Sequence, residues 1–302
     1  MTKIYEEILS FFPDNLGEIK NLNNDLVWNF AEEIRIRIGR PIVIKLLNDE
    51  IFLGNSISSE DMIRIIENFS NNSIYSVQNE INSGYITIKG GHRIGISGTS
   101  VFQNNEIKNI KYISSLNIRI AREVKGCSNY ILKKILKNNK FENTLIVSPP
   151  GCGKTTILRD MIRNLSNGFE EFRGKNISLV DERSEIAAMY KGMPQNDIGI
   201  RTDVMSNLSK SIGIKMMIRS MGPQIIATDE VGGEKDFDSI NDAIYSGINL
   251  LLTVHGNDIE DVSEEFINNY TFKNIIILTK KDRPGKIKKI YTLEDKEYVI
   301  NG

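Results

Sequence analysis

The sequence predicts an α/β protein whose core holds a mostly parallel sheet and follows a smaller α+β N-terminal domain. In the second half of the chain, short apolar runs alternate with helical stretches, as in sheets joined by crossover helices. The runs are apolar throughout, which is typical of parallel strands covered on both faces. They are residues 145–147, 177–180, 225–227, 250–254 and 275–278. We place the two domains at residues 1–125 and 126–302.

The first domain mixes strands and helices without a regular strand–helix alternation. Residues 34–38 alternate isoleucine with arginine, which predicts a half-buried strand. Residues 61–69 carry apolar side chains at helical spacing, and Gly90-Gly91-His92 predicts a hairpin turn. Further strands are predicted at residues 42–47, 85–89 and 93–97. This mixture favours the α+β class for the first domain.

Two segments border the predicted parallel sheet. Residues 129–140 place four apolar side chains on one helical face, so we predict a connecting helix there. Residues 286–300 have the pattern of a terminal hairpin.

Composition narrows the functional classes. The chain has 38 basic and 39 acidic residues, a net charge of −1, which argues against a protein that mainly coats nucleic acid. Two cysteines among 302 residues are too few for a disulfide scaffold and indicate reduced thiols. The N-terminus does not resemble a signal peptide, and no apolar run approaches the ~20 residues that span a bilayer. We therefore expect a soluble cytoplasmic protein that could dock on a membrane protein.

Residues 148–156, Ser-Pro-Pro-Gly-Cys-Gly-Lys-Thr-Thr, have the pattern of a phosphate-binding loop between a strand (144–147) and a helix (156–165). Gly151 and Gly153 let the backbone curl so that its N–H groups face one point, and the helix N-terminus favours an anion there. The usual pattern starts with glycine, where this chain has Ser148. We predict a RecA-like P-loop core that binds ATP and Mg²⁺. The expected nucleotide contacts are Pro150, Gly151, Cys152, Gly153, Lys154, Thr155 and Thr156.

Three of these loop residues have specific expected roles. Lys154 brings a cation to the β- and γ-phosphates, and Thr155 offers its hydroxyl to Mg²⁺. Cys152 lies beside Lys154 at a helix start, a setting that can make a thiol reactive. The alternative for Cys152 is a small residue at a tolerant position.

Hydrolysis needs acids near the loop, and the strand at residues 225–227 leads to Asp229 and Glu230. Ligands of open α/β sheets bind at the carboxyl ends of strands. We expect Asp229 to hold Mg²⁺ through water and Glu230 to orient or deprotonate the attacking water. His255 follows another strand, where it is either a γ-phosphate sensor or a structural histidine. The acids after residue 180 belong either to the site or to a charged loop.

Several segments together resemble the stage III sporulation protein AA family. Besides the loop, they are residues 91–98, 115–124, 180–187, 199–204 and 216–221, and the strand before Asp229 and Glu230. This family is similar to the traffic ATPases of type II and type IV secretion. The resemblance implies an acidic box at Asp181 and Glu182, a histidine box from Thr253 to Gly256, and a recurring arginine at Arg219. Secretion ATPases generally have glycine at the position of Asp229, which leaves open whether Glu230 or Glu182 is the main base.

The same resemblance implies a biological setting. It implies a hexameric ring at the mother-cell face of a channel complex that joins mother cell and forespore, docked on a membrane-protein partner. It also implies that Arg93, Arg119 and Arg122 reach the phosphates as arginine fingers, against the alternative of solvated strand-face arginines. Two other functions stay open: an ATPase stimulated by nucleic acid, and a scaffold that binds ATP without turnover. Nucleic acid is the less expected partner, because the chain carries no basic tail.

Overall fold

The structure is a computed structural model that describes residues 3–22, 25–54, 56–70, 84–103, 106–263, 272–281, 284–294 and 297–300. By Cα proximity the chain divides into two compact units. Unit 1 comprises Met1–Arg122 and Ala188–Gln195, and unit 2 comprises Glu123–Ala187 and Asn196–Gly302. No sequence pattern predicted that the segment Ala188–Gln195 belongs to the first unit. The domain boundary at residue 125 stays a prediction.

Unit 1 holds an antiparallel sheet with the strand order β3-β2-β1-β6-β5-β4. Its helices are α1 (Lys3–Leu9), α2 (Gly17–Lys20), α3 (Asp25–Phe30) and α4 (Ser59–Phe69). Its sheet strands are β1 (Ala31–Arg37), β2 (Ile42–Leu46), β3 (Glu50–Leu53), β4 (Tyr85–Thr87), β5 (Arg93–Gln103) and β6 (Glu106–Arg119).

The predicted alternation in β1 is confirmed. Ile34 and Ile36 are fully buried, whereas Arg35 and Arg37 lie on the other face of the sheet. The buried face packs with Trp28 and the apolar side of α4 into one core. The predicted turn at residues 90–92 is confirmed as well. Gly90 and its successor have φ values of 85° and 79°, which only glycine adopts without strain.

Unit 2 holds a mixed sheet with the order β13-β10-β14-β15-β7-β16-β17-β18. In this order, the strands from β13 to β16 pair in parallel, and β17 and β18 pair antiparallel. Its helices are α5 (Asn129–Ile135), α6 (Lys154–Asn167), α7 (Lys210–Met221) and α8 (Glu234–Tyr245), with a 3₁₀ turn at Ile259–Asp261. The sheet strands are β7 (Thr144–Ser148), β10 (Ile177–Asp181), β13 (Thr202–Ser206), β14 (Ile225–Thr228), β15 (Asn249–His255), β16 (Asn274–Thr279), β17 (Lys286–Glu294) and β18 (Glu297–Ile300).

Four two-residue strands complete the list. The strands β8 (Gly168–Phe169) and β9 (Phe172–Arg173) form a small hairpin in unit 2. The strands β11 (Met189–Tyr190) and β12 (Met193–Pro194) form another in unit 1.

The continuous apolar runs correspond to buried strands, as predicted. Every residue of β7, β10 and β14 is buried, and the terminal hairpin forms as β17 and β18. Because the parallel strands share one direction, the carboxyl ends of β7, β10, β14 and β15 meet at one edge of the sheet. The chain is therefore of the α/β class with mixed sheets.

Two details differ from the sequence predictions. The connecting helix ends at Ile135 rather than at residue 140. Leu136 is already extended, with a ψ of 97°, and Asn138 and Asn139 then turn the chain with φ values of 53° and 58°. Asparagine tolerates this left-handed conformation better than most residues. The strand β13 was not predicted, since it lies at the sheet edge and carries polar side chains among apolar ones. Among the described residues, no helix is both long and apolar enough to cross a membrane.

Candidate active site

The phosphate-binding loop connects the end of β7 to the start of α6, as the sequence predicted. Gly151 and Gly153 both adopt the left-handed region, with φ values of 72° and 79°. A methyl group on Gly153 would lie 3.1 Å from the backbone nitrogen of Gly285, so a larger residue is excluded by space as well as by φ. The turn thereby directs the first N–H groups of α6 toward the loop interior, which suits an anion.

Lys154, the first residue of α6, is buried at this edge of the sheet. Its Nζ lies 3.1 Å from Nδ1 of His255 and 3.4 Å from the carbonyl oxygen of Val254. Burial lowers the pKa of Lys154, while the nearby carboxylates of Glu230 and Asp229 oppose that shift. The ammonium is thus held at the carboxyl end of β15, beside the loop.

His255 links the loop lysine to the predicted base. Its Nε2 lies 3.1 Å from Oε1 of Glu230. The two contacts favour one tautomer of the neutral ring: Nδ1 accepts from the ammonium of Lys154, and Nε2–H donates to the carboxylate. The structure therefore brings Lys154, His255 and Glu230 into one chain of polar contacts.

The backbone of Glu230 takes an unusual conformation for a residue with a side chain. Its φ is 49°, and its N–H donates to Oγ1 of Thr253 at 2.9 Å. Its second carboxylate oxygen lies 3.6 Å from the guanidinium of Arg183. Non-glycine residues in this region concentrate at functional sites. The resemblance placed Thr253 in the histidine box and Arg183 in a matching segment, but neither residue was predicted to contact the base.

Asp229 is the buried acid of the site. Burial raises its pKa to about 6, and the like charge of Asp181 adds to the effect. Among the described residues, none donates a hydrogen bond to its carboxylate or pairs with it as an ion. A cation next to this carboxylate would relieve both unfavourable effects. Mg²⁺ keeps several of its waters and often binds through one or two carboxylates, so a buried aspartate is a donor that suits this ion. The described residues contain no group of three or more His, Cys, Asp or Glu side chains that could hold a metal ion.

Asp181 is equally buried but is fully engaged by its own loop. Its carboxylate accepts backbone N–H groups from Glu185, Ile186 and Ala187, at 2.9, 3.1 and 2.8 Å. Burial raises its pKa, and these hydrogen bonds act in the opposite direction. Asp181 therefore fixes the loop after β10.

Glu182, the other candidate base, is more exposed than its neighbour Asp181 and contacts the ammonium of Lys210 at the start of α7. The remaining loop residues lie as expected around the turn. Thr155 and Thr156 are half-buried in the first turn of α6, and the side chain of Cys152 is buried, which restricts access to its thiol.

Arg219 does not join this cluster within one chain. It lies exposed in the last turn of α7, nine residues after Lys210, which contacts Glu182. At 1.5 Å per residue this separates them by about 13 Å along the helix axis. The helix end leads into the start of β14, at the opposite edge of the sheet. The role of Arg219 stays a prediction that needs another copy of the chain.

The three arginines of unit 1 have different surroundings. Arg122 donates to the carbonyl oxygens of Trp28 and Ala31, at 2.7 and 2.8 Å. Arg119 is exposed, 3.6 Å from a carboxylate of unit 1. Arg93 stacks over the ring of Tyr85, with 4.0 Å between the guanidinium carbon and the ring centre. Their role as arginine fingers stays a prediction.

Comparison with known sequences decides the family. The family described as "Sporulation stage III, protein AA" matches residues 5–298. The chain belongs to the stage III sporulation protein AA family. The stage III sporulation protein AA of Bacillus subtilis (strain 168) is 35% identical over 290 residues, which cover 94% of each chain.

Solved structures show the same fold at low sequence identity. The ATPase DotB of Legionella pneumophila aligns with a TM-score of 0.58 and 15% identity, covering 94% of this chain and 81% of its own. The pilus retraction motor PilT, solved with bound ADP, aligns with a TM-score of 0.56 and 14% identity, covering 83% and 75%. The chain thus shares its fold with the ATPase DotB and the motor PilT.

Proposed function

We propose that this chain is a magnesium-dependent ATP hydrolase with a RecA-like P-loop core. The observation that carries the proposal is the chain of contacts from Lys154 through His255 to Glu230, set beside the glycine turn of the loop. A cation, a neutral hydrogen-bond donor and a carboxylate are the groups that phosphoryl transfer to water requires. The likeness to DotB and PilT supports the fold on which this proposal rests.

Nucleotide binding would use the loop backbone and Lys154. The glycine turn exposes N–H groups at the start of α6, and these groups and the helix dipole favour the phosphates. Among the described residues, the ammonium of Lys154 has two polar contacts, with Nδ1 of His255 at 3.1 Å and with the carbonyl oxygen of Val254 at 3.4 Å. These neutral partners cost little to replace with phosphate oxygens, so Lys154 can neutralise phosphate charge.

The metal site would use Thr155 and Asp229. Bound Mg²⁺ would neutralise charge on the β- and γ-phosphates. The hydroxyl of Thr155 stands in the first turn of α6, and the carboxylate of Asp229 is buried without a described partner. Ionisation of Asp229 becomes favourable once a cation lies beside it.

Proton transfer is assigned to Glu230. One of its oxygens is oriented by His255 and the other by Arg183, so the carboxylate is positioned on both sides. Glu182, by contrast, is engaged with the ammonium of Lys210. Among the described residues, no contact joins Glu182 to Lys154 or His255, whereas Glu230 contacts His255, which in turn contacts Lys154. The contacts therefore favour Glu230 over Glu182 for accepting the proton of the attacking water.

The proposed biological role follows from family membership and from the likeness to secretion motors. We place the protein in a homo-oligomeric, hexameric ring on the cytoplasmic, mother-cell side of a membrane. There it would be peripheral, held by a membrane-protein partner of the channel complex that forms during sporulation. Turnover would power or assemble that complex. Residues 1–125 would form the N-terminal domain and residues 126–302 the ATPase domain.

The test is phosphate release from ATP by the full chain, with and without Mg²⁺. We compare the wild type with Lys154→Ala and with Lys215→Ala, an exposed lysine of α7 far from the loop. Release that needs Mg²⁺, survives in Lys215→Ala and disappears in Lys154→Ala is the expected result. Equal release in all three proteins would refute the proposal.

Two other outcomes would select the alternative functions. Saturable ATP binding without phosphate release, also in the presence of membranes that contain the partner, would indicate an assembly scaffold. Stimulation by single-stranded nucleic acid that falls steeply with salt would indicate a nucleic-acid-linked ATPase.

A further inference from the structure

We propose that Lys280 is a second cationic residue of the phosphate-binding loop and contacts the nucleotide phosphates together with Lys154. This inference deepens the proposed function and rests on nucleotide binding at the loop. Lys280 lies 126 positions after the loop lysine in the sequence, and the loop motif does not include it. The sheet brings the two regions together.

The strand order places Lys280 at the edge that carries the loop. The strand β16 pairs in parallel with β7, and Ile277 lies opposite Val147 in that pairing. The strand β16 ends at Thr279, two residues beyond Ile277, and β7 ends one residue beyond Val147, at the start of the loop. Lys280 therefore leaves the sheet beside the phosphate-binding loop and on the same edge.

Contacts confirm that the chain after β16 lies against the loop. A methyl group on Gly151 would be 3.9 Å from Nζ of Lys280. The N–H of Gly285 donates to the carbonyl oxygen of Cys152 at 2.7 Å. A methyl group on Gly153 would meet the backbone of Gly285 at 3.1 Å. The first and last glycines of the loop thus both face this segment.

Among the described residues, no carboxylate lies within ion-pair distance of Lys280, whereas Lys210 of the same unit contacts Glu182. The side chain of Lys280 is exposed, so water partly screens its charge, and the ammonium is free to move toward a bound phosphate. An ammonium beside a turn whose N–H groups also favour anions adds to the attraction for phosphate.

The adjacent lysine provides a matched control. Lys281 carries the same charge one position later and is exposed like Lys280, and its backbone N–H donates to Oγ1 of Thr279. Successive residues point in different directions, so Lys281 is not expected to face Gly151. Long-range electrostatics would be lost equally in both variants, whereas a direct contact would be lost only with Lys280.

The experiment measures equilibrium binding of ATP, ADP and adenosine in Mg²⁺ buffer by the full chain. We compare the wild type, Lys280→Ala, Lys280→Gln, Lys281→Ala and Lys154→Ala, each checked by thermal unfolding. Both Lys280 variants are expected to weaken ATP and ADP about tenfold, as for a lost charge-assisted hydrogen bond. Adenosine binding should stay within about twofold in every variant, and Lys280→Arg should restore most of the loss for ATP.

The outcomes separate this inference from the proposed function. If the wild type binds ATP and Lys154→Ala does not, the nucleotide site is real. Unchanged ATP affinity in the folded Lys280 variants would then overturn the inference alone. An equal loss in Lys280→Ala and Lys281→Ala would also overturn it, because only general electrostatics would be at work. A wild type that binds no ATP would overturn both proposals.

Discussion

The two sheets of the molecule distribute their charged side chains in different ways. In unit 1 the strands alternate, so arginines such as Arg35, Arg37 and Arg119 are spread over one face of the sheet. In unit 2 the strands β7, β10 and β14 are buried on both faces, and charged groups lie at or after the carboxyl ends of β10 and β14. Asp181 and Asp229 are consequently buried at one edge. Parallel strands thus concentrate charge where an alternating sheet disperses it.

The two buried aspartates at this edge of the sheet differ in their hydrogen-bond partners. Asp181 is satisfied by the backbone of its own loop. Asp229, at the end of the neighbouring strand, has no such donors among the described residues and a pKa raised to about 6 by burial. A buried carboxylate that accepts hydrogen bonds stabilises the fold. A buried carboxylate without such donors lowers the free energy of unfolding unless a cation binds beside it. The difference separates a structural acid from a candidate metal ligand.

The largest expected effect concerns Asp181. Its replacement by alanine leaves three buried N–H groups of the following loop without an acceptor. We expect Asp181→Ala to lower the free energy of unfolding by about 4 kcal/mol, and Asp181→Asn by about 2 kcal/mol, since asparagine keeps one oxygen. Urea denaturation measures both. Losses below 1 kcal/mol in each would mean that Asp181 is not the support of this loop.

Glu230→Gln tests the assignment of the base. Glutamine keeps the shape but cannot accept the proton, so we expect kcat to fall about 100-fold. ATP affinity should change by less than about threefold, because Lys154 and the loop are untouched. Single-turnover phosphate release and equilibrium binding measure the two quantities. Glu182→Gln is the matched control, and a larger loss there would transfer the role of base to Glu182.

Asp229→Asn should increase stability in the absence of metal and nucleotide. The folded protein binds this proton more tightly than the unfolded chain, whose pKa is 3.8. Ionisation of Asp229 therefore lowers the free energy of unfolding progressively as the pH rises from about 4 to about 6, and this loss is complete above that range. We expect Asp229→Asn to be about 2 kcal/mol more stable than the wild type at pH 7 and equal to it below pH 4. A pH-independent difference would exclude this origin.

The smallest expected effect distinguishes two arginines of unit 1. Arg122 donates two hydrogen bonds to backbone carbonyls, whereas Arg119 is exposed. We expect Arg122→Ala to cost about 1.5 kcal/mol of unfolding free energy and Arg119→Ala less than about 0.5 kcal/mol. Equal costs in thermal unfolding would show that the bonds of Arg122 add nothing to stability.

Much of the second unit could be predicted from local sequence. The loop glycines, the strand before Asp229 and the terminal hairpin each have patterns that span few residues. The end of the connecting helix at Ile135 and the edge strand β13 could not be predicted as easily. Both depend on neighbours distant in the sequence, because helix length and edge pairing follow tertiary packing more than propensity.

The same limit applies to the candidate site. Lys154, Asp229, Glu230 and His255 were found because each stands at a strand or helix end that the sequence marks. Lys280 was not found. The resemblance marked the segments that contain Arg183 and Thr253, but not their contacts with Glu230, because only distances in the structure show these contacts. A basic residue directly after a predicted parallel strand was the available signal for Lys280.

By itself, the sequence determined which strands are buried, where the glycine turn lies and which acids follow the strand ends, because these depend on residue type and local spacing. The tertiary structure decided the strand order, and with it which of those ends are neighbours. It also decided that Asp181 is satisfied by its own loop while Asp229 is not. The physical reason is that burial and hydrogen-bond partners depend on the packing of distant segments, which set the cost of each buried charge.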